Sequence, residues 1–245
     1  MDLGLSGKKA VVTGGSRGIG RAIVLGLAGN GASVAACYNR ESDDVKKLRG
    51  ELEEVGGDSY LAQADISDPD SARSFVEDAS GKFGGIDILI NNAGVVSHQM
   101  IDELELDEWH RVIDTNLTAI YLICKAALPS MAEGGSIVNI TSAVAMRGMP
   151  ARTHYISSKA GVIGFTRALC KEVGKQGIRV NALAPGIIET DQTAGLDEAG
   201  RARYSGLAAL NRLGESEEIA SVALFLASDL SSFVSGVTLN VDGGI

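Results

Sequence analysis

Two kinds of apolar pattern alternate along the chain. Short runs rich in Val, Ile, Leu and Ala fall at 9–12, 33–37, 60–64, 86–90, 136–140, 179–183 and 238–241. Each has the length of a strand, and 86–90 is apolar enough for a strand covered on both faces. Between them lie longer stretches with helical spacing. In 43–55 the apolar residues Val45, Leu48, Leu52 and Val55 recur on one face. Stretches 21–29, 70–82, 155–174 and 217–227 also read as helices, and 109–131 holds one or two. Strands separated by helices imply right-handed crossovers and a parallel sheet. The pattern predicts an α/β fold: a doubly wound, seven-stranded parallel sheet with helices on both faces, in one domain spanning 1–245. The least patterned stretch, 189–213, is rich in Gly, Ala and charge and is a candidate flap over a substrate.

Composition narrows the function. Of 245 residues, 45% are hydrophobic, which suits a packed globular chain. The net charge is −9 and no run of Lys or Arg exceeds a pair, which disfavours nucleic acid and anionic membranes as partners. Aromatic residues, at 4%, are too few for a base-stacking platform. The start, MDLGLSGKKA, has no apolar leader, and no run of eighteen apolar residues suggests a membrane span. Cys37, Cys124 and Cys170 are odd in number and far apart, as free thiols in a reducing cytoplasm would be. With His98, His110 and His154 they show no metal-ligand spacing, so no metal is expected.

The first chemical signal is Thr13-Gly14-Gly15-Ser16-Arg17-Gly18-Ile19-Gly20, between the first strand and the first helix. Glycines there permit positive φ and let backbone approach a ligand. The helix that follows offers free N–H groups and its positive dipole end to a pyrophosphate. Glycines alone read equally well as a tight strand-to-helix turn; their place after the first strand favours binding. NAD binders put Asp or Glu at the end of the second strand for the ribose 2′-OH. Here that place reads Cys37-Tyr38-Asn39-Arg40, and no acid comes before Glu41. Arg40 and Arg17 are therefore expected to meet a 2′-phosphate, although Glu41, Asp43 and Asp44 lie close in sequence.

The second signal is Tyr155-Ile156-Ser157-Ser158-Lys159, which puts a phenol and an ammonium on one helical face. A nearby cation lowers a phenol pKa and suits it to acid/base work. The spacing is not unique, because Tyr121-Leu122-Ile123-Cys124-Lys125 repeats it. Context separates the copies. Ser142 closes the strand 136–140 and Tyr155 opens the next helix, so both belong at the carboxyl edge of the sheet, where doubly wound folds bind ligands. Ser142 can donate to a carbonyl oxygen as it gains charge. Asn91-Asn92-Ala93-Gly94 ends another strand at that edge, whereas Tyr121 sits in mid-helix.

Taken in order, 13–20, Asp65, 91–94, Asn116, Ser142, Tyr155 with Lys159, and Pro185-Gly186 followed by Thr190 resemble the short-chain dehydrogenase/reductase family over nearly the whole chain. The resemblance implies a Rossmann fold binding NADP(H) and a catalytic tetrad of Asn116, Ser142, Tyr155 and Lys159. Tyr155 would exchange the proton, Ser142 hold the carbonyl oxygen, Lys159 bind the nicotinamide ribose and bias Tyr155, and Asn116 fix a water that relays protons to Lys159. It also implies a cofactor site of Gly14, Ser16, Arg17, Gly18, Ile19, Gly20, Asn39, Arg40, Asp65, Ile66, Asn92, Ala93, Gly94, Tyr155, Lys159, Pro185, Gly186, Ile188 and Thr190. Asp65 would contact the adenine, Asn92 its ribose, and Ile188 and Thr190 the carboxamide side.

Within the family the chain is most similar to β-ketoacyl-acyl-carrier-protein reductases and related polyketide ketoreductases, through 185–191 and the ending Val241-Asp242-Gly243-Gly244. Those reductases carry basic residues where an acidic carrier docks, and here Glu133 and a single Lys175 stand in the corresponding stretches. The sequence is accordingly read as a ketoreductase acting on a small hydrophobic or polyketide-type ketone, with 3-oxoacyl-acyl-carrier-protein reduction as the alternative. A nucleotide sensor without chemistry would not need the tetrad. Stretch 143–153, with Met146, Met149 and Pro150, is a candidate pocket wall; Arg147 and Arg152 there face either a substrate anion or water. The resemblance also suggests a homotetramer built through 117–131, 155–174 and the C-terminal region.

Overall fold

Apolar residues on both faces of the strands drive two helical layers onto one sheet. In the computed structural model, which describes residues 2–191 and 193–245, seven parallel strands form a single sheet in the order β3-β2-β1-β4-β5-β6-β7. They are β1 (Lys9–Thr13), β2 (Ser33–Tyr38), β3 (Ser59–Gln63), β4 (Ile86–Asn91), β5 (Met131–Ile140), β6 (Arg179–Pro185) and β7 (Thr238–Val241). Successive side chains alternate between faces. Val12, Ile88, Ile90 and Val138 join one buried cluster with helices α1 (Gly18–Gly29), α2 (Asp43–Val55) and α9 (Ser216–Ala227). Val11, Leu89 and Ile137 join the other with α3 (Pro69–Phe83), α5 (Ala119–Ala127) and α7 (Thr153–Val173). Each fully buried Val, Leu or Ile contributes about 1.5–3 kcal/mol, so the central strands anchor the sheet and its edges stay where the loops need them.

Winding outward from β1 in one direction and from β4 in the other creates a switch point between these two strands. The crevice outside their carboxyl ends is where such sheets take ligands.

The pattern of seven strands and their order along the chain is the one the sequence predicts; the differences are local. Helix α1 begins at Gly18 rather than 21, because the phosphate loop feeds straight into it. The stretch read as one or two helices is α4 (Leu106–Ile113), a five-residue π turn at Asp114–Thr118, α5, and a 3₁₀ turn at Leu128–Ser130. Within the described residues this Leu106–Ser130 run is the one helix long and apolar enough to cross a membrane by length and composition. Its apolar residues Ala119, Ile120, Ile123 and Cys124 are instead buried in the second cluster, against the sheet. β5 starts at Met131, which pairs with Ile86 before a register irregularity leads into the pairing of Ser136 with Ile88. Short α6 (Val144–Arg147) follows Ser142, and the patternless 189–213 stretch contains α8 (Glu198–Ser205), capped by Asp197 accepting from Gly200 N at 2.8 Å. Gln192 of that stretch, like Met1, lies outside the described residues.

Candidate active site at the switch point

The loops after β1 and β4 are stapled together by two polar side chains. The buried Thr13 hydroxyl accepts from the backbone N–H groups of Asn92 and Ala93, both at 3.1 Å. Asn92 returns its amide: Nδ2 donates to Thr13 O at 3.1 Å and to Gly14 O at 2.9 Å. The loop is tight enough to require glycine. Gly14 has φ +66° and a Cβ there would lie 2.8 Å from Ala93 Cα; one at Gly20 would lie 2.0 Å from Gly14 O. Arg17, the N-cap of α1, gives no side-chain cap, and the first turn has no acid. The N–H groups at the start of α1 thus keep no side-chain partner, and the positive dipole end is unneutralised, which is the donor set a pyrophosphate needs.

Around this cradle stand most of the residues expected to meet a cofactor. Gly14, Ser16, Arg17, Gly18, Ile19 and Gly20 line the loop, with Ala93 and Gly94 beside it. The loop after Pro185 comes over the same crevice: a Cβ on Gly18 would lie 3.2 Å from Thr190 Cγ2. Gly186 packs against Asp242, and Ile188 is buried below Thr190. Asn39 and Arg40 are exposed beyond β2. The acids near Arg40 in sequence are engaged elsewhere, Glu41 with Arg49 at 3.8 Å and Asp43 with Lys46 at 2.9 Å. Arg40 makes no ion pair among the described residues, while exposed Arg17 lies 3.4 Å from Asp191, a pairing of little energetic weight. Asp65 is exposed after β3, its Oδ1 accepting from Ser67 N at 3.0 Å and Ser67 Oγ at 2.6 Å, next to buried Ile66. Asn92 was expected at the adenine ribose; both its amide hydrogens are spent on the β1 loop, so its side chain here holds the cradle's shape.

The tetrad residues converge beside Gly94. Lys159 is only 4% exposed, its Nζ donating to Ile140 O at 2.9 Å, and burial lowers its pKa from 10.5 to about 8. Asn116, fully buried, sits in the π turn, a local widening that often marks functional positions. Its Oδ1 accepts from Val95 N at 2.7 Å, and its Nδ2 donates to Val95 O at 2.9 Å and Ser158 Oγ at 3.1 Å. A Cβ on Gly94 would stand 3.1 Å from Asn116 Oδ1 and 3.4 Å from Lys159 Nζ, so the three positions share one small space. Ser142 follows β5, and its hydroxyl is one of the groups that bear on the Tyr155 phenol.

Electrostatics at Tyr155 differs from the expectation. Burial raises the phenol pKa above 10, with the Ser142 hydroxyl and the Arg152 charge pulling the other way. Lys159 Nζ is 5.9 Å from the ring centre, but the cation that bears on the phenol in the chain alone is Arg152, at the same distance. The phenol therefore holds its proton at neutral pH. The side chain of Asn116 is occupied in tying the loop after β4 to α7.

Several contacts of the site had no signal in the sequence. Arg152 Nε donates to His98 Nε2 at 3.0 Å, and Ser97 Oγ lies 2.6 Å from His154 Nε2. Ser97 also donates to Glu108, which Arg111 holds at 2.7 Å. Asn91 Nδ2 donates to Asn139 Oδ1 at 2.8 Å, and Asn139 Nδ2 to Thr166 Oγ1 at 2.9 Å, a buried chain that links β4, β5 and α7. The His98–Arg152, Ser97–His154, Asn91–Asn139 and Asn139–Thr166 partners are 54, 57, 48 and 27 residues apart, beyond the reach of any local pattern.

Known proteins agree with this geometry. A family model described as Enoyl-(Acyl carrier protein) reductase matches residues 14–245. A 3-oxoacyl-[acyl-carrier-protein] reductase of Chlamydia muridarum is 42% identical over 243 residues, covering 98% of each chain. One from Staphylococcus aureus is 37% identical, covering 97% of this chain and 98% of the relative. Among solved structures, a blue fluorescent protein from a metagenomic library in complex with NADPH superposes with TM-score 0.94 at 39% identity, and a short-chain dehydrogenase from Burkholderia cenocepacia in complex with NADP with TM-score 0.93 at 35% identity, each pair covering 98% of both chains. A short-chain dehydrogenase/reductase from Serratia marcescens is 34% identical at TM-score 0.94, again over 98% of both chains. With its phosphate cradle, its converging Tyr155 and Lys159 and these full-length relatives, the chain belongs to the short-chain dehydrogenase/reductase family of oxidoreductases.

Proposed function

We propose that the protein is an NADPH-dependent 3-oxoacyl thioester reductase that turns the ketone into a secondary alcohol at Ser142 and Tyr155. The observation that carries the reaction is the meeting of Ser142, Tyr155 and Lys159 at the switch-point edge of the sheet. The substrate class follows the Chlamydia and Staphylococcus relatives, whose names specify 3-oxoacyl groups on an acyl carrier. The free or polyketide-type ketone favoured from the sequence takes second place. Its main support was the acidic Glu133 and the scarcity of basic residues near Lys175. Those stretches lie before the paired residues Ser136 and Arg179, at the amino ends of β5 and β6, opposite the edge that bears Ser142. They say little about what approaches the catalytic mouth.

When bound, the reduced nicotinamide supplies the hydride; the rest of the chemistry falls to the chain. Tyr155 donates its proton to the carbonyl oxygen, and the raised pKa keeps that proton in place beforehand. Ser142 donates a hydrogen bond to the same oxygen as it gains charge. The cations Arg152 and Lys159, each 5.9 Å from the ring centre, then favour the phenolate that remains. Lys159 also holds the nicotinamide ribose, and Asn116 keeps the Val95 backbone against α7 so that Lys159 and Gly94 stay in register. The α1 N-terminus takes the pyrophosphate, Arg40 and Arg17 the 2′-phosphate, Asp65 the adenine side, and Ile188 and Thr190 the nicotinamide side.

The 189–213 flap fits the same scheme. Its base is pinned where Glu189 N donates to Gly214 O at 2.8 Å and Gly214 N to Ile187 O at 3.0 Å, so α8 can move over a bound substrate as a unit. Self-association to a homotetramer would use the groove of about 640 Å³ between α5 and α7, lined by Tyr121, Phe165 and Leu169. Three buried free cysteines suit a cytoplasmic setting.

The deciding experiment compares NADPH oxidation on an acetoacetyl thioester with that on hydrophobic ketones lacking the acyl group. Faster turnover of the thioester is expected. Reduction of the plain ketones with no thioester turnover would return the free-ketone reading to first place.

A further inference from the structure

The strap after β4 and the turn before α7 run side by side, held by three contacts in antiparallel order. Gln99 N donates to Ala151 O at 2.9 Å, Arg152 Nε to His98 Nε2 at 3.0 Å, and the Ser97 hydroxyl meets His154 Nε2 at 2.6 Å. The turn is sharp enough to put Ala151 at φ +59°, a conformation alanine rarely adopts. These contacts fix where Arg152 stands, 5.9 Å from the centre of the Tyr155 ring.

Arg152 is unlike the other arginines of this face. Its Nε and Nη2 both point at one acceptor, His98 Nε2, which must be unprotonated to receive them. Burial and the Arg152 charge itself keep His98 in that neutral form. The remaining guanidinium N–H groups have no acceptor among the described residues, and Arg152 makes no ion pair there. Glu108, which follows the strap, is taken by Arg111 and Ser97. A rigidly held cation with free donors thus borders the phenol that gives up a proton.

We infer that Arg152 is a substrate-binding residue whose guanidinium takes a second acceptor oxygen of the substrate, two carbons from the reacting ketone. A 1,3-dicarbonyl has two oxygens that can face the same way, one toward Tyr155 and Ser142 and the other toward Arg152. The second oxygen belongs to a thioester carbonyl or to a free carboxylate; the guanidinium can donate to either, and a plain ketone has no such second acceptor. His98 is the positioning residue that aims it. The inference rests on Tyr155 being the proton donor.

The test uses the full-length enzyme with NADPH and three ketones: the acetoacetyl thioester of N-acetylcysteamine, acetoacetate, and 2-pentanone, which lacks the second oxygen. Arg152→Ala is expected to lower kcat/KM about tenfold to hundredfold further on the first two than on 2-pentanone, the extra loss falling mainly on KM and the shared loss, from the cation's support of the phenolate, on kcat. Arg152→Lys recovers part of the loss. His98→Ala gives a weaker version of the same pattern, and His98→Gln, which retains an acceptor, restores it. A larger loss on acetoacetate identifies the carboxylate as the ligand, and a larger loss on the thioester identifies its carbonyl. Equal losses on all three ketones, no loss on any, or a native enzyme that reduces 2-pentanone as well as the thioester overturns the inference. Tyr155→Phe separates the two levels: if it still turns over, the site reading itself fails; if it is silent and Arg152→Ala acts on all ketones alike, only the role of Arg152 falls.

Discussion

Tyr-x-x-x-Lys occurs twice in this chain, on α5 and on α7, and the two copies have opposite surroundings. On α5, Lys125 Nζ donates directly to Tyr121 Oη at 3.2 Å, and Tyr121 is 46% exposed. On α7, Lys159 makes no such bond to Tyr155; it is buried and donates to Ile140 O. The copy with the better local contact is the one placed for no chemistry. Helical spacing brings phenol and ammonium together, but in water their mutual influence is screened to about 1 kcal/mol at contact distance. The α7 pair is shifted chiefly by burial, which raises the Tyr155 phenol and lowers the Lys159 ammonium, while Ser142 at the end of β5 and Arg152 in the turn before α7 pull the phenol the other way.

The largest effect that would sharpen this contrast is on turnover. Tyr155→Phe removes one hydroxyl and leaves the ring to pack; kcat should fall by roughly 10²–10⁴, the usual share of general acid catalysis, with NADPH affinity little changed. Tyr121→Phe should leave steady-state kinetics unaltered. The reverse outcome would place the active site on α5.

Stability comes next. The Lys159 pKa is depressed to about 8 in the folded chain from 10.5. A depressed lysine destabilises the folded state at pH values below about 8, where both states carry the proton, and this cost is relieved as pH rises from about 8 to 10.5. Lys159→Met should therefore inactivate the enzyme yet raise its stability by about 1–3 kcal/mol at pH 7, the gain fading toward pH 10.5. Urea titrations of both proteins across that range check the sign. Lys125→Met on the exposed copy should leave activity unchanged and should not reproduce the pH-dependent gain in stability. A Lys159→Met protein less stable than the parent would mean that the bond to Ile140 O outweighs desolvation.

The smallest effect concerns cofactor choice. Arg40, like Lys125, is exposed, but it flanks the phosphate cradle and has no counter-ion among the described residues. Arg40→Ala should reduce the preference for NADPH over NADH about tenfold, through KM for NADPH, with NADH kinetics unchanged. Equal kcat/KM for both cofactors in the native protein would remove the 2′-phosphate from the account.

The succession of strands and helices along the chain, the two apolar layers and the glycine loop were all legible in the sequence because each depends on period and spacing within a few residues. Thr13, Ala93 and Gly94 sit at strand ends whose position the pattern already fixed. The π turn was not legible: nothing in Asp114-Thr115-Asn116-Leu117-Thr118 departs from an ordinary helix, and its widening is sustained by Asn116 reaching Val95, twenty-one residues back. The Arg152–His98 contact spans fifty-four residues and was equally silent.

By itself, then, the sequence determined the alternation that makes a doubly wound parallel sheet, and with it the edge at which Ser142 and Tyr155 must emerge. Local periodicity is enough for that, since side-chain burial decides which face of each element turns inward. Only the tertiary structure decided the charge state of the site. Whether Tyr155 holds its proton, which cation bears on it, and where Asn92 and Asn116 spend their amides depend on desolvation and on partners brought together across the fold. Those interactions act through space at distances of a few ångströms, and no spacing along the chain encodes them.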